Sequence, residues 1–356
     1  MKRVIVLLVT LTLFTGLLAG CAGKNTEKNT EKNTDSKEAA TPTQAAESTP
    51  VAEAETTQSP VDTSGTHAEE ATWPRTFTDA AGKEVTLAEE PQRIAILHSM
   101  YLEYFFALGT PPVASAGANV GTAMQALEEF ATLKPYLGTA EIMDLGSARE
   151  LNLEAILAAE PDVIVTFNGH GGVDELYDEL TKIAPVVLLD YTASWQDSIR
   201  ECARIVGKES IAEECIQETE TIVDKAREDL SGYSDKTTAF VRSDGKGGVF
   251  ALGYARYPYY YDTETGFGLS KPETYPEEWG VISLEALAEM NPDYILFQDY
   301  ESDARKLVED LSASTVWQNL KAVKADQVLY LDVSLNTTSP LSLQVAAKQL
   351  VEGLVK

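Results

Sequence analysis

Cysteine and histidine are nearly missing from this chain, with three of each in 356 residues. That leaves no convergent His and carboxylate set of the kind that holds zinc or manganese. Neither Cys202 nor Cys215 has a histidine nearby in sequence, so neither reads as a catalytic nucleophile. Positive charge is scarce too: Lys plus Arg number 28 against 56 Asp plus Glu, a formal net charge of -28. Such a balance argues against nucleic acid, whose phosphates reward a basic surface. Any anionic ligand would need a local basic patch set against this field. Walker A, His-Glu-x-x-His and Gly-x-Ser-x-Gly patterns are absent. The turn holding Gly169, Gly171 and Gly172 lacks the spacing of a dinucleotide fingerprint. An enzyme is therefore the remote alternative.

What is present begins with an export signal. Lys2 and Arg3 precede an apolar stretch over residues 4–18, closed by Leu18-Ala19-Gly20-Cys21. The apolar run is short, and with small residues at its end it reads as a signal over residues 1–20 rather than a spanning helix. The closing tetrad resembles the lipobox of bacterial lipoproteins, which implies lipidation of Cys21 and attachment to the outer face of the cytoplasmic membrane. The alternative is an ordinary secretory signal that contains a cysteine. Residues 21–72 follow as a low-complexity tether, with the tandem repeat KNTEKNTEKNT from Lys24 and scarcely an apolar anchor. Such a segment cannot repay the entropy of ordering. His67 lies in it and is not expected to be a ligand.

Two stretches then say nearly the same thing. LEAILAAEPDVIV from Leu153 is matched 131 residues later by LEALAEMNPDYIL from Leu284. Each follows a capping residue, Asn152 or Ser283. Each runs through a short helix to Pro-Asp and into a β-branched, aromatic strand. The copies mark equivalent places in two α/β lobes. The first lobe spans residues 73–193, opening with a hairpin turned at Gly82 and continuing as alternating strands and helices with a mostly parallel sheet. Residues 194–231 form the interlobe helices, one over 195–206 and a longer one over 210–230. Ile211, Cys215, Thr219, Ile222, Val223, Ala226 and Leu230 trace a semi-apolar stripe on the longer one. Cys202 and Cys215 stand either side of the break between these helices and form either a disulfide or two packed free thiols. The second lobe covers residues 232–356. The architecture expected is two Rossmann-like lobes joined by a long helix, with a ligand cleft between them.

Together these features resemble the helical-backbone substrate-binding lipoproteins of ABC importers that carry ferric siderophores, haem or cobalamin. The resemblance covers about residues 73–356. It rests on the lipobox and on the hairpin Asp79-x-x-Gly82-x-x-Val85-x-Leu87 ending in Pro91-x-Arg93-Ile94. Both Leu-Glu…Pro-Asp modules add to it, with Glu278-Trp279-Gly280-x-Ile282-Ser283 before the second. Val316-Trp317-x-x-Leu320 and Ala325-x-x-Val328-x-Tyr330 complete it. It implies a monomeric binding protein, not an enzyme, that delivers a ferric siderophore to a permease dimer with its ATPase. No cofactor is held permanently, and cobalamin or haem is the alternative cargo. In such proteins an acid on each lobe pairs with permease arginines, and Glu154 and Glu285 match those positions. The bland account of both is a first-turn acid favoured by the helix dipole, worth under about 1 kcal/mol.

In open α/β lobes ligands sit beyond the carboxyl ends of the strands. Those ends nominate His98, Tyr101, Asn119, Asn168 and Trp195 from the first lobe. Arg242, Tyr254, Arg256, Tyr257, Tyr259, Trp279, Tyr300 and Asn336 come from the second. The tyrosines offer flat faces and hydroxyls, and the arginines offer charge toward chelate oxygens. The competing account of the tyrosine run is a surface packed on its own lobe. His98 is open to two readings as well: an iron ligand, or a structural residue beside a chelate that already fills the ferric sphere. Few basic residues in the first lobe favour a neutral or weakly charged chelate.

Overall fold

The computed structural model describes residues 72–117 and 121–355. The expected signal, Cys21, the tether up to residue 71, His67 and Asn119 lie outside the described residues.

β1 (Arg75–Thr78) and β2 (Glu84–Leu87) form an antiparallel hairpin. Its turn is held by Asp79, whose Oδ1 accepts the amides of Ala81 and Lys83, and by Gly82 at φ 75°. The first lobe continues as β3 (Ile94–Ile96), α1 (Leu102–Ala107), β4 (Ala114–Gly117), α2 (Ala123–Glu129) and β5 (Met143–Ser147). It ends with α3 (Leu153–Ala158), β6 (Val163–Phe167), α4 (Val173–Ile183) and β7 (Val186–Leu189). These five strands lie in the order β5-β4-β3-β6-β7, all parallel.

Two helices follow, α5 (Trp195–Val206) and α6 (Glu209–Leu230). The second lobe then holds β8 (Thr238–Ser243), β9 (Val249–Ala251), β10 (Gly280–Ile282), α7 (Leu284–Met290) and β11 (Tyr294–Gln298). After these come α8 (Glu301–Leu311), α9 (Thr315–Asn319), α10 (Lys321–Lys324), β12 (Val328–Leu331) and α11 (Pro340–Leu354). Its sheet runs β10-β9-β8-β11-β12, with β8, β11 and β12 parallel and β9 and β10 antiparallel to their neighbours. The two sheets and the joining helix give the bilobed α/β plan expected from the repeat.

The repeated modules occupy matching places, with β6 and β11 each fourth in their sheets. Asn152 and Ser283 cap their helices by accepting the amides of Ala155 and Ala286. Both helices end in a left-handed residue, Glu160 at φ 46° and Asn291 at φ 40°. The following aspartates fasten the neighbouring central strands. Asp162 accepts the amides of Gln92 and Arg93 just before β3. Asp293 accepts the amide of Thr237 just before β8.

α6 joins the lobes through one stripe. Ala212 and Ile216 belong to a core of the first lobe, Val223, Ala226 and Leu230 to a core of the second. Thr219, fully buried between them, accepts from Gln344 Nε2 of α11 at 2.9 Å. The stripe differs at its start from the one drawn on sequence. Ala212 and Ile216 face inward, whereas Ile211 is 37% exposed and Cys215 is half-buried. Alternating steps of four and three residues from Ala212 keep one continuous inner face, which a start at Ile211 cannot do. Cys202, buried on α5, and Cys215 are both free thiols, so of the two alternatives for this pair the structure has the unbonded one.

Candidate functional site

Loops at the carboxyl ends of the strands meet helices of the first lobe around a cavity of about 580 Å³. That is ample for a small chelate, since ligand pockets commonly run to several hundred Å³. From the first lobe come His98, Ser99 and Met100 after β3, Glu103 on α1, Phe130 after α2 and Tyr191 after β7. From the second come Arg242 on β8, Arg256 and Tyr257 after β9, and Trp279 before β10. Asp299 and Tyr300 follow β11, Asp303 stands on α8, and Asn336 follows β12.

Polar contacts hold the wall of the second lobe in shape. Tyr260, completely buried and stacked on Phe240 with centroids 3.8 Å apart, donates its hydroxyl to Gln298 Oε1 at 2.6 Å. Gln298 Nε2 donates to Asn336 Oδ1 at 3.1 Å, and Asn336 Nδ2 donates to the Val333 carbonyl at 2.7 Å. Tyr257 reaches the same Asn336 oxygen at 3.4 Å. Arg242 lies over Phe250 at 4.6 Å, and Trp279 meets that ring edge-on at 5.6 Å. Asp299 accepts the amides of Ser243 and Tyr300 at 2.8 Å each, while burial pushes its carboxyl above the usual range.

Contacts also cross between lobes. Arg256 Nη2 donates to the Tyr191 hydroxyl at 3.0 Å. At the opposite wall Glu103, 1% exposed, accepts from the hydroxyls of Thr337 and Ser339 in the second lobe and from Thr132 at 2.5 Å in the first. Burial pushes its carboxyl up to about 7, against the pull of these hydroxyls. Asp332 Oδ1 of the second lobe accepts the Ala131 amide of the first at 3.2 Å.

Of the residues nominated from sequence, the structure brings His98, Arg242, Arg256, Tyr257, Trp279, Tyr300 and Asn336 to the cavity. It places five others elsewhere. Tyr101 is 1% exposed within the first lobe's core. Asn168 points its amide at the Ala80 carbonyl, 3.3 Å away, tying down the hairpin. Trp195 wedges against the cores of both lobes. Tyr254 lies under Lys271 at 4.4 Å, and Tyr259 donates to the Leu335 carbonyl at 3.2 Å. Most of the tyrosine run is thus packing, because successive side chains of an irregular loop cannot all face one cavity. Glu154 and Glu285 are exposed in the first turns of α3 and α7.

Sequence reasoning missed Glu103 and Asp303, whereas Asp299 fell within the strand-end stretch 298–300 that points to the cleft. A signal existed for Glu103, the one charge in the otherwise apolar helix LEYFFA. Asp303, one of two acids in the first turn of α8, gave none.

Comparison with known proteins agrees with this architecture. A family profile described as periplasmic binding protein matches residues 94–335. The chain is similar to the probable siderophore-binding lipoprotein YfiY of Bacillus subtilis, 27% identical over 284 residues, covering 74% of this chain and 82% of that one. It is also similar to the Fe(3+)-citrate-binding protein YfmC of Bacillus subtilis, 25% identical with coverages of 71% and 77%. Among solved structures, Staphylococcus aureus SirA complexed with staphyloferrin B aligns at a TM-score of 0.62 and 23% identity, covering 79% of this chain and 98% of that one. Bacillus subtilis FeuA, an iron-uptake system-binding protein, aligns at 0.64 and 22%, with coverages of 79% and 100%. These structural likenesses establish the fold. With the family profile spanning well over half of its length, the chain belongs to the periplasmic binding protein family, whose members bind solutes rather than transform them.

Proposed function

We propose that this chain binds a ferric siderophore between its lobes outside the cytoplasm and delivers it to an ABC importer. The observation that carries the reading is the shared cavity of about 580 Å³, walled by both lobes and carrying two guanidinium groups with an aromatic set. Arg242 and Arg256 supply the local positive charge that anionic chelate oxygens need on a molecule of net charge -28. Tyr257, Trp279 and Tyr300 supply flat surfaces for the organic part of the chelate. Relatives named for siderophore and Fe(3+)-citrate binding support the same cargo class.

Delivery follows from the rest of the chain. Lipid on Cys21 would hold the protein at the membrane, and the tether would give the lobes reach. Glu154 and Glu285, exposed at equivalent points of the two lobes, would meet positive patches on a two-fold permease. Fluorescence titration of the purified protein with ferric trihydroxamates, triscatecholates, citrate, haem and cobalamin tests the cargo. Saturable binding of one class of ferric chelate is expected. Binding of cobalamin or haem alone would overturn the siderophore reading.

A further inference from the structure

His98 stands on the first lobe's wall with its tautomer set by one backbone contact. Its Nδ1 accepts the Met100 amide at 3.3 Å, capping the short turn Ser99–Tyr101. An amide can only donate, so Nδ1 keeps its lone pair and the single proton of the neutral ring sits on Nε2. A second proton would have to go on Nδ1, facing another hydrogen. Burial and the nearby His170 oppose it too, holding His98 down at about 4. The ring stands edge-on to Phe167 at 5.5 Å and to His170 at 5.6 Å.

His170 is fixed by the same logic. Its Nε2 lies 2.6 Å from the Ala148 carbonyl, which can only accept, so Nε2 donates. Its Nδ1 therefore accepts the Thr166 hydroxyl at 2.6 Å. This buried ring, stacked on Phe167 at 4.8 Å, braces the surface behind His98. Among the described residues no bond is recorded to His98 Nε2, and His98 lines the cavity. Binding iron through Nε2 would need its lone pair, hence the opposite tautomer and loss of the cap.

We propose that His98 is a fixed hydrogen-bond donor to an oxygen of the cargo and stays outside the coordination sphere of the iron. The inference rests on the reading of the cleft as a ferric-chelate site. Two substitutions separate the roles of the ring. His98→Asn keeps an oxygen to cap the Met100 amide but has no donor at the distance of Nε2. His98→Gln offers an amide donor near that distance.

Ferric trihydroxamate, triscatecholate and citrate chelates are each titrated against wild type and both variants, while the iron–ligand charge-transfer absorption is recorded. For whichever chelate the wild type binds, His98→Asn should weaken binding about tenfold with its unfolding transition preserved, as for one lost hydrogen bond. His98→Gln should stay within about threefold of wild type, and the absorption band should not move on binding. Unchanged affinity of His98→Asn would overturn the proposal. So would a band that shifts on binding to wild type but not to the variants. If wild type binds no ferric chelate, the cargo reading itself fails and the proposal with it, an outcome distinct from a bound chelate that is indifferent to His98.

Discussion

Asp162 and Asp293 show how one residue type, repeated, sets a lobe. Each follows a proline and accepts backbone amides at the entrance to the central strand beside it. Asp293 is 8% exposed and also pairs with Lys321, whereas Asp162 is exposed. Replacing either by alanine leaves amides without acceptors, a loss of about 1–3 kcal/mol. Urea unfolding should therefore place Asp293→Ala below Asp162→Ala in stability, and the reverse order would show that burial does not set the cost. Glu103 gives a prediction in pH. Its folded value, about 7, lies above the 4.5 of a free glutamate. Its contribution to stability is then complete below about 4.5 and is lost as pH rises through 7. Melting temperature should fall over that window in wild type, and the part due to this residue should vanish in Glu103→Gln. An identical pH slope in the variant would contradict the assignment. The paired aspartates were legible in the repeat. The bonds of Glu103 were not, because Thr132, Thr337 and Ser339 approach it from far along the chain.

At the scale of elements, the repeated helix–strand pairs could be read because local signals agree: a cap, good helix formers, Pro-Asp and a β-branched run. β5 escaped, and its sequence MDLGS explains why. It has no β-branched residue, and only Leu145 of its five residues is buried. β10 has two β-branched residues but only three residues in all, at a sheet edge with Val281 64% exposed, too short a run to show alternation. α6 was recognised, but its stripe starts at Ala212 because packing against α5 and α11 decides the rotation. That rotation bears on the two thiols. Burial raises both, Cys202 further than Cys215, and the thiolate is the form that reacts. Under native, non-reducing conditions alkylation should be slow at both sites and should modify Cys215 first. The intact mass should be that of two thiols. A mass lower by one lost pair of hydrogens would mean that α5 and α6 are disulfide-bonded after all.

Across the whole molecule, two sheets with matching positions for β6 and β11 put Glu154 and Glu285 at equivalent points, one per lobe, away from the cavity lining. Alanine at both should leave chelate affinity within about twofold and cost no more than about 1 kcal/mol of stability each. Uptake of labelled ferric siderophore by cells should fall strongly, and more in the double variant than in either single one. Normal uptake would leave these acids only a helix-capping role. The lobes also meet at Trp195, which touches both cores, and at the cross-cleft contact between Arg256 and Tyr191. Cargo that closes on these surfaces should change tryptophan emission from Trp195 and from Trp279, which is 61% exposed at the cavity wall. The central claim, that the cavity between the lobes is where a ferric siderophore binds, is tested most directly by titrating purified protein and the Arg242→Ala/Arg256→Ala double variant with the chelate that wild type binds. Wild type should saturate at one chelate per chain, and the double variant should lose about a hundredfold in affinity while its unfolding transition stays within about 2 kcal/mol of wild type. Equal affinity in a folded double variant would contradict it and place the cargo elsewhere on the molecule.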